Sequence, residues 1–365
     1  MSVGAPDLQR AFGVDYTATA LALFVVPTLV GAVVEPPLLV LADRWPRKRF
    51  IVGGLLAMGL GSLVAGLTPW FAPFVAAITV WFVGTGIGVD VAQAEVVDAG
   101  VGAPERPMLR WVLLGTLGDL AAPALAAGLG ALGFGWRGAF VASGAFVTAY
   151  ALLLATQRFG AVEGDRDEDE GEGDDEPSIL EALRRALGNR QLMLWLVGGW
   201  TCCLLDELFV VFGSLHLRDA LGADLTQRSA ILAIDVVGSL VGLWVTARFF
   251  ADRRPREVLA ASAGLCLVSY AAWLAAPSIE ASAALVFVVG AATAPLYPYA
   301  QAQAYRALPG EPGTVNALEV VFTPLDLAVP LLLGLLADAA GPIAALGVLA
   351  LQPLTLYVLA RTSPR

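Results

Sequence analysis

Residues 42–47 read ADRWPR and residues 251–256 read ADRRPR, one phrase written twice with a single change. Working outward, residues 8–47 align on 217–256 without a gap. The identities include Leu8/Leu217, Gly13/Gly222, Asp15/Asp224, Thr17/Thr226, Asp43/Asp252, Arg44/Arg253, Pro46/Pro255 and Arg47/Arg256. Further on, Ala92-Gln93-Ala94 matches Ala300-Gln301-Ala302. After it, the stretch from Asp119 to Pro123 matches that from Asp326 to Pro330. Three matches in order, each drifting by one residue, predict two duplicated halves of the same topology, a plan known among transporters.

Composition says what the halves are made of. Hydrophobic residues make up 58% of the 365 and charged residues 15%, with mean hydropathy +0.73. A soluble domain carries roughly 25% charged residues, and so much apolar surface needs lipid as its solvent. Apolar stretches fall at about 17–41, 50–68, 71–95, 108–132, 138–156, 191–215, 226–250, 257–276, 281–303, 313–337 and 341–360. Each is long enough to cross roughly 30 Å of hydrocarbon as a helix, and none shows the alternation of a barrel strand.

The expected fold is therefore an all-α membrane protein of about eleven spans, five then six. A five-helix bundle covers 1–156, a hydrophilic connection 157–189, and a six-helix bundle 190–365. The repeat mate of span 191–215 would fall before Met1, so the sequence predicts a first half lacking its first helix.

Loop charge sets an orientation. With 42–49 in the cytoplasm, all of the 22 basic residues except Arg10, Arg137, Arg218 and Arg228 fall on the cytoplasmic side, as the positive-inside rule requires. The connection and the C-terminus then lie in the cytoplasm of a cell-membrane protein. Residues 161–176 hold ten acids and one arginine, a composition too polar to fold. Behind them Ser178 and Glu181 form a capping box for ILEALRRAL, expected as a short helix on the membrane surface.

With motif and repeat in hand, the chain resembles the major facilitator superfamily. That family's signature joins its second and third helices as Gly, three residues, Asp-Arg, one residue, Gly, then basic residues. Here Asp43, Arg44, Arg47 and Lys48 match, whereas Leu39 and Pro46 replace the glycines. Asp252, Arg253 and Arg256 form the weaker second copy. The resemblance implies two bundles related by a pseudo-two-fold axis and a cytoplasmic gate. There Asp43 faces backbone amides and arginines, while Arg44 and Arg47 pair with acids. The alternative is that these basic residues only anchor orientation. The phrases RPMLRW (106–111) and ALPGEPGTVNAL (307–318) are most similar to the drug-efflux and fosmidomycin-resistance-like branch.

Ionisable groups inside spans are costly and are usually functional or paired. Glu35 lies eight residues before Asp43, close enough to join the gate. Glu95 and Asp98 end a span near Arg106 and Arg110 and are expected to pair with them. Asp119 and Asp326 are repeat mates, each four residues before a proline that frees the acid's own carbonyl. They belong either to a solute or ion path or to a polar helix contact. Asp206 and Glu207 are adjacent, so they point ~100° apart and cannot both face one cavity squarely. Asp235 sits mid-span with either role open. Tyr297, Tyr299, Gln301 and Gln303 either line the cavity or form a polar packing face. The glycines of Gly84–Gly88 and the pair Gly238 and Gly242 read as close helix packing. His216 falls in an external loop.

Several classes drop out. Cys202, Cys203 and Cys266 have no CxxC or histidine neighbour, so neither a disulfide framework nor a zinc site is supported. No cofactor, nucleic acid or catalytic set is implied, and the expected chain is a monomer in lipid. Two functions remain. The first is secondary transport of a small solute, expected as efflux coupled to protons, with sodium the other ion. The second is a membrane scaffold or sensor that kept the fold.

Overall fold

The computed structural model describes residues 5–15, 18–19, 21–100, 103–157, 178–250 and 253–362, and among them no strand occurs. The acidic run 161–176 and Asp252 lie outside the described residues. Helices α1 (Ala5–Phe12), α2 (Leu21–Ala42), α3 (Arg47–Leu67), α4 (Phe71–Asp98), α5 (Glu105–Ala131) and α6 (Gly135–Thr156) precede the connection. The short α7 (Ile179–Leu187) leads into α8 (Arg190–Leu221), then α9 (Leu225–Val245, extended by a π turn over Thr246–Phe250) and α10 (Pro255–Leu274). Helices α11 (Ile279–Ala307), α12 (Pro312–Ala340) and α13 (Pro342–Thr362) complete the chain.

Ten of these helices are long and apolar enough to cross a membrane. The remaining expected span is α5, whose 27 residues reach ~40 Å. The outer faces carry apolar side chains: Phe146 is 72% exposed, Val268 69% and Leu331 65%. Such surface belongs against hydrocarbon, where a helix satisfies its own backbone.

The residues fall into two compact units. Unit 1 comprises Met1–Ala99, Ala121–Ala186 and Gly310–Val320, and unit 2 comprises Gly100–Leu120, Leu187–Pro309 and Val321–Arg365. Unit 1 is welded by glycine. A Cβ on Gly54, Gly84 or Gly88 would collide with backbone atoms of the facing helix, so α3 and α4 meet main chain to main chain. Close approach of small residues is how apolar helices associate in lipid. Gly238 and Gly242 press on the carbonyls of Phe287 and Ala291 in the same way within unit 2. At one end of unit 1, Arg137 stacks over Trp136 and donates to the carbonyls of Gly66 and Thr68 at 3.1 and 2.6 Å.

The repeat is visible in the backbone. Gly13 and Gly222, which are repeat mates, both take φ of 64°, a left-handed conformation that glycine adopts at little cost. Two residues later Asp15 accepts from the Ala18 amide at 2.7 Å, and Asp224 caps α9 in a capping box with Gln227. The capping box at α7 forms too, with Ser178 and Glu181 bonded reciprocally at 2.7 and 3.2 Å. Its alanines, Ala182 and Ala186, are buried, and Ala182 packs with Leu39, Val40 and Ile51 of unit 1.

His216 is a correction to the loop expected there. Helix α8 runs on to Leu221, so His216 is helical and buried, its ring 5.1 Å from that of Trp273. Imidazole is apolar enough on its flat face to fill a core.

Candidate transport site

In unit 1, Asp43 ends α2 and its carboxylate is held by three donors. The Gly313 amide donates to Oδ1 at 2.8 Å, while the Thr314 amide and hydroxyl donate to Oδ2 at 2.7 and 2.9 Å. These are the free amides at the start of α12, which have no partner within their own helix. Burial pushes the Asp43 carboxyl up from its ordinary range, and the three donors and Arg47 pull against that shift. Arg47, 3% exposed at its side chain, reaches Asp98 at 2.7 Å, Glu95 at 3.4 Å and Asp43 at 3.6 Å. Glu95 and Asp98 thus have a cation, Arg47, that the sequence did not point to. The spacing of one helix could not reveal which neighbour faced it. Lys48 donates to the carbonyl of Gln157 at 2.6 Å.

Glu35 sits one stretch earlier on the helix that Asp43 ends. Its carboxyl lies over Gly31 and Gly86, where a Cβ would strike it, and Oε1 is buried with no hydrogen-bond partner. Asp90 lies within electrostatic reach of Glu35 and of Glu319, and Asn316 donates to the Asp90 carbonyl at 3.2 Å. Three intramembrane acids therefore gather in unit 1, and sequence spacing did not join them.

Unit 2 carries a second set. Asp206 and Glu207 sit in a π turn, Leu204–Leu208, and both are exposed. The expectation that they diverge rests on α-helical geometry, which this wider turn does not follow. Asp326 is exposed as well and accepts from Trp200 Nε1 at 2.7 Å, and the Trp200 ring stacks on Phe322 at 5.8 Å. Glu207 lies within electrostatic reach of Asp326, and Asp206 within that of Asp235. Asp235 itself packs against Gly290. The side chain of Asp119 lies outside the described residues.

Tyr299 and Gln301, expected either on the path or in a packing face, are buried in unit 2 at 1% exposure each. They pack. Gln303 and Arg306 of the same helix donate to Glu105 at 2.9 and 2.7 Å, and Glu105 is itself 2% exposed. Glu105 escaped the sequence reading because it stands just outside an apolar span. Arg253 is exposed and Arg256 half-buried. Among the described residues, no three His, Cys, Asp or Glu side chains converge as metal ligands.

The sequence profile of the Major Facilitator Superfamily matches residues 1–205. The chain belongs to the major facilitator superfamily. No curated relative matches it in sequence. Among solved structures it is similar to a variant of the E. coli fucose:proton symporter FucP. That match has a TM-score of 0.77 at 18% identity, covering 99% of this chain and 93% of that one. It is also similar to the proton:xylose symporter XylE, with TM-score 0.73, 12% identity and coverage of 100% and 91%. The human organic anion transporter MFSD10 follows, with TM-score 0.61, 18% identity and coverage of 98% and 88%.

These likenesses show the all-α, two-bundle fold, and the family match makes the chain a multi-pass membrane protein of a superfamily of solute transporters. Within the superfamily pattern, the three donors on Asp43 and the acids around Arg47 are the contacts that the signature loop implies. They form even though Leu39 and Pro46 stand in place of the two glycines.

Proposed function

We propose that the chain exports a small solute across the cell membrane by alternating access, in exchange for protons. The observation that carries this reading is the exposed trio Asp206, Glu207 and Asp326 within otherwise apolar spans of unit 2. A carboxylate in hydrocarbon is expensive, and three exposed on one unit beside a tryptophan suit a wetted path better than a packing contact. A carboxyl that moves between wet and dry surroundings changes its proton affinity, because desolvation penalises the charged form. Proton coupling in FucP and XylE, which their names state, favours protons over sodium for this chain. Asp119, the repeat mate of Asp326, joins the set by sequence. Asp43 and Arg47 would latch the cytoplasmic side, in the orientation that loop charge gives, and the chain would act as a monomer.

The test uses proteoliposomes with an imposed pH gradient, challenged with a panel of drugs and metabolites. Asp206→Asn, Glu207→Gln, Asp326→Asn and Asp119→Asn are compared with the parent. Loss of proton-driven flux in at least one folded variant supports the reading. Parent-like coupling in all four defeats it, and solute moving with the proton gradient replaces efflux by symport. No flux of any solute in the parent favours the scaffold or sensor.

A further inference from the structure

Helix α8 does not keep one geometry along its length. It is α-helical over Arg190–Thr201, turns at Cys202, widens into the π turn Leu204–Leu208 and returns to α-helix at Phe209. The bonds follow that change. Asp206 N–H reaches the Cys202 carbonyl at 3.1 Å, whereas Phe209 N–H reaches back five residues to Leu204. Between them the Leu205 amide donates out of the helix, to Oε1 of Gln352 at 2.8 Å. Gln352 comes from α13, 147 residues away, and is 0% exposed.

Its surroundings make the choice of residue informative. Leu204 and Leu205 beside it are buried, and so are Leu349 and Leu356 on its own stretch of chain. An apolar side chain would suit that packing. Gln352 instead brings an amide whose Nε2 has no hydrogen-bond partner, a costly group to bury. The orientation of that amide is fixed, because the Leu205 N–H only donates and must meet the oxygen. One polar end is used and the other is left over. The used end terminates on the residue before Asp206.

We propose that Gln352 is a positioning residue that holds α8 broken at Cys202, just ahead of the π turn, and so sets the direction of Asp206 and Glu207. It touches neither carboxylate. The π turn that follows the break inserts one residue into the ladder, and such turns gather at functional sites. Without that acceptor, the Leu205 amide would be satisfied best by bonding back four residues to the Thr201 carbonyl, which would close the break at Cys202 into α-helix. Closure would rotate every residue beyond it, Asp206 and Glu207 first. The inference rests on reading those two acids as coupling carboxylates. Their titratable neighbours are Asp235 and Asp326, with the thiols of Cys202, Cys203 and Cys266.

The probe is the proton itself, so no solute need be known. The full chain in liposomes is titrated by infrared spectroscopy, with the carboxyl C=O bands of Asp206 and Glu207 assigned by Asp206→Asn and Glu207→Gln. Gln352→Met, similar in size but with no acceptor oxygen, should move their midpoint by about half a unit or more. It should also speed hydrogen exchange at the Leu205 amide about tenfold or more, since a lost bond of ~1.4 kcal/mol corresponds to that factor. Gln352→Glu, which keeps an oxygen in place, should restore slow exchange.

An unmoved midpoint together with unchanged exchange in Gln352→Met overturns the proposal. Should that variant fail to fold, the parent decides: a Leu205 amide that exchanges much faster than its neighbours Leu204 and Asp206 has no such bond. The coupling reading fails separately, if Asp206→Asn and Glu207→Gln transport like the parent. Gln352 can still govern the titration in that case.

Discussion

In unit 1 the charge network around the signature loop is centred on a buried cation, and in unit 2 a network further along the chain is centred on a buried acid. Arg47, 3% exposed, gathers Glu95 and Asp98 at 24% and 31%, whereas Glu105 at 2% gathers Arg306 at 39% together with Gln303. The partners are repeat mates, since Glu95 aligns with Gln303 and Asp98 with Arg306. Duplication kept the place on the helix and changed the charge, from acid to neutral amide at one position and from acid to cation at the other. A position facing a neighbour at the end of a span is fixed by packing, but the charge it carries is free to invert if the neighbour inverts too. The helices that carry these aligned positions therefore share a place and not a chemistry.

The first way to break this comparison is to remove each buried member. Arg47→Met leaves Asp43, Glu95 and Asp98 without their cation, and stranding buried charge costs about 3–5 kcal/mol. Thermal unfolding in detergent should show it. Glu105→Gln should cost less, about 1–3 kcal/mol, because Arg306 is exposed enough to turn to water. Equal losses would mean that the two networks are alike and the contrast is empty. Smaller still is a place where the halves should agree. Gly13→Ala and Gly222→Ala each force a left-handed φ on a residue with a Cβ, for about 1–2 kcal/mol. Neither Cβ would meet another atom within 4 Å, so the losses should match, and a clear mismatch would break the equivalence.

The smallest effect lies on the exposed side of unit 1. Bonds from Ser178 hold the fully exposed Glu181 carboxyl below its ordinary value of 4.5. A lowered pKa means a stabilisation that is present above 4.5 and is lost as pH falls through the folded value. The protection of α7 amides, taken relative to the intrinsic exchange rate at each pH, should therefore fall on acidification below about pH 4.5. Glu181→Gln should remove that dependence. The Arg185–Glu311 pair at 2.8 Å is exposed and salt-screened, so raising salt should change little at α7.

Much of the fold was legible because lipid imposes a coarse rule: long apolar runs become helices, and a repeated phrase repeats the helix pattern. The break inside α8 was not, since a π turn in an apolar run has no compositional mark. The donors on Asp43 were anticipated only through the family resemblance. What sequence lacked was azimuth. Glu95 and Asp98 were known to need a partner, yet spacing along one helix says nothing of which neighbour it faces. Gln352 was wholly silent, as its partner is a backbone amide that looks the same at every residue.

The glycine seam of Gly54, Gly84 and Gly88 carries a mechanical consequence. Ordinary helix contacts yield by changing rotamers, and two helices can slide past each other while their side chains regroup. Where main chain lies on main chain there is nothing to regroup. Any small displacement runs directly into atoms that have no other arrangement, and a displacement of a full turn would bring side chains into a space sized for hydrogen atoms. Helices α3 and α4 are thus geared as one strut, and a conformational cycle that bends this unit must find its hinge elsewhere.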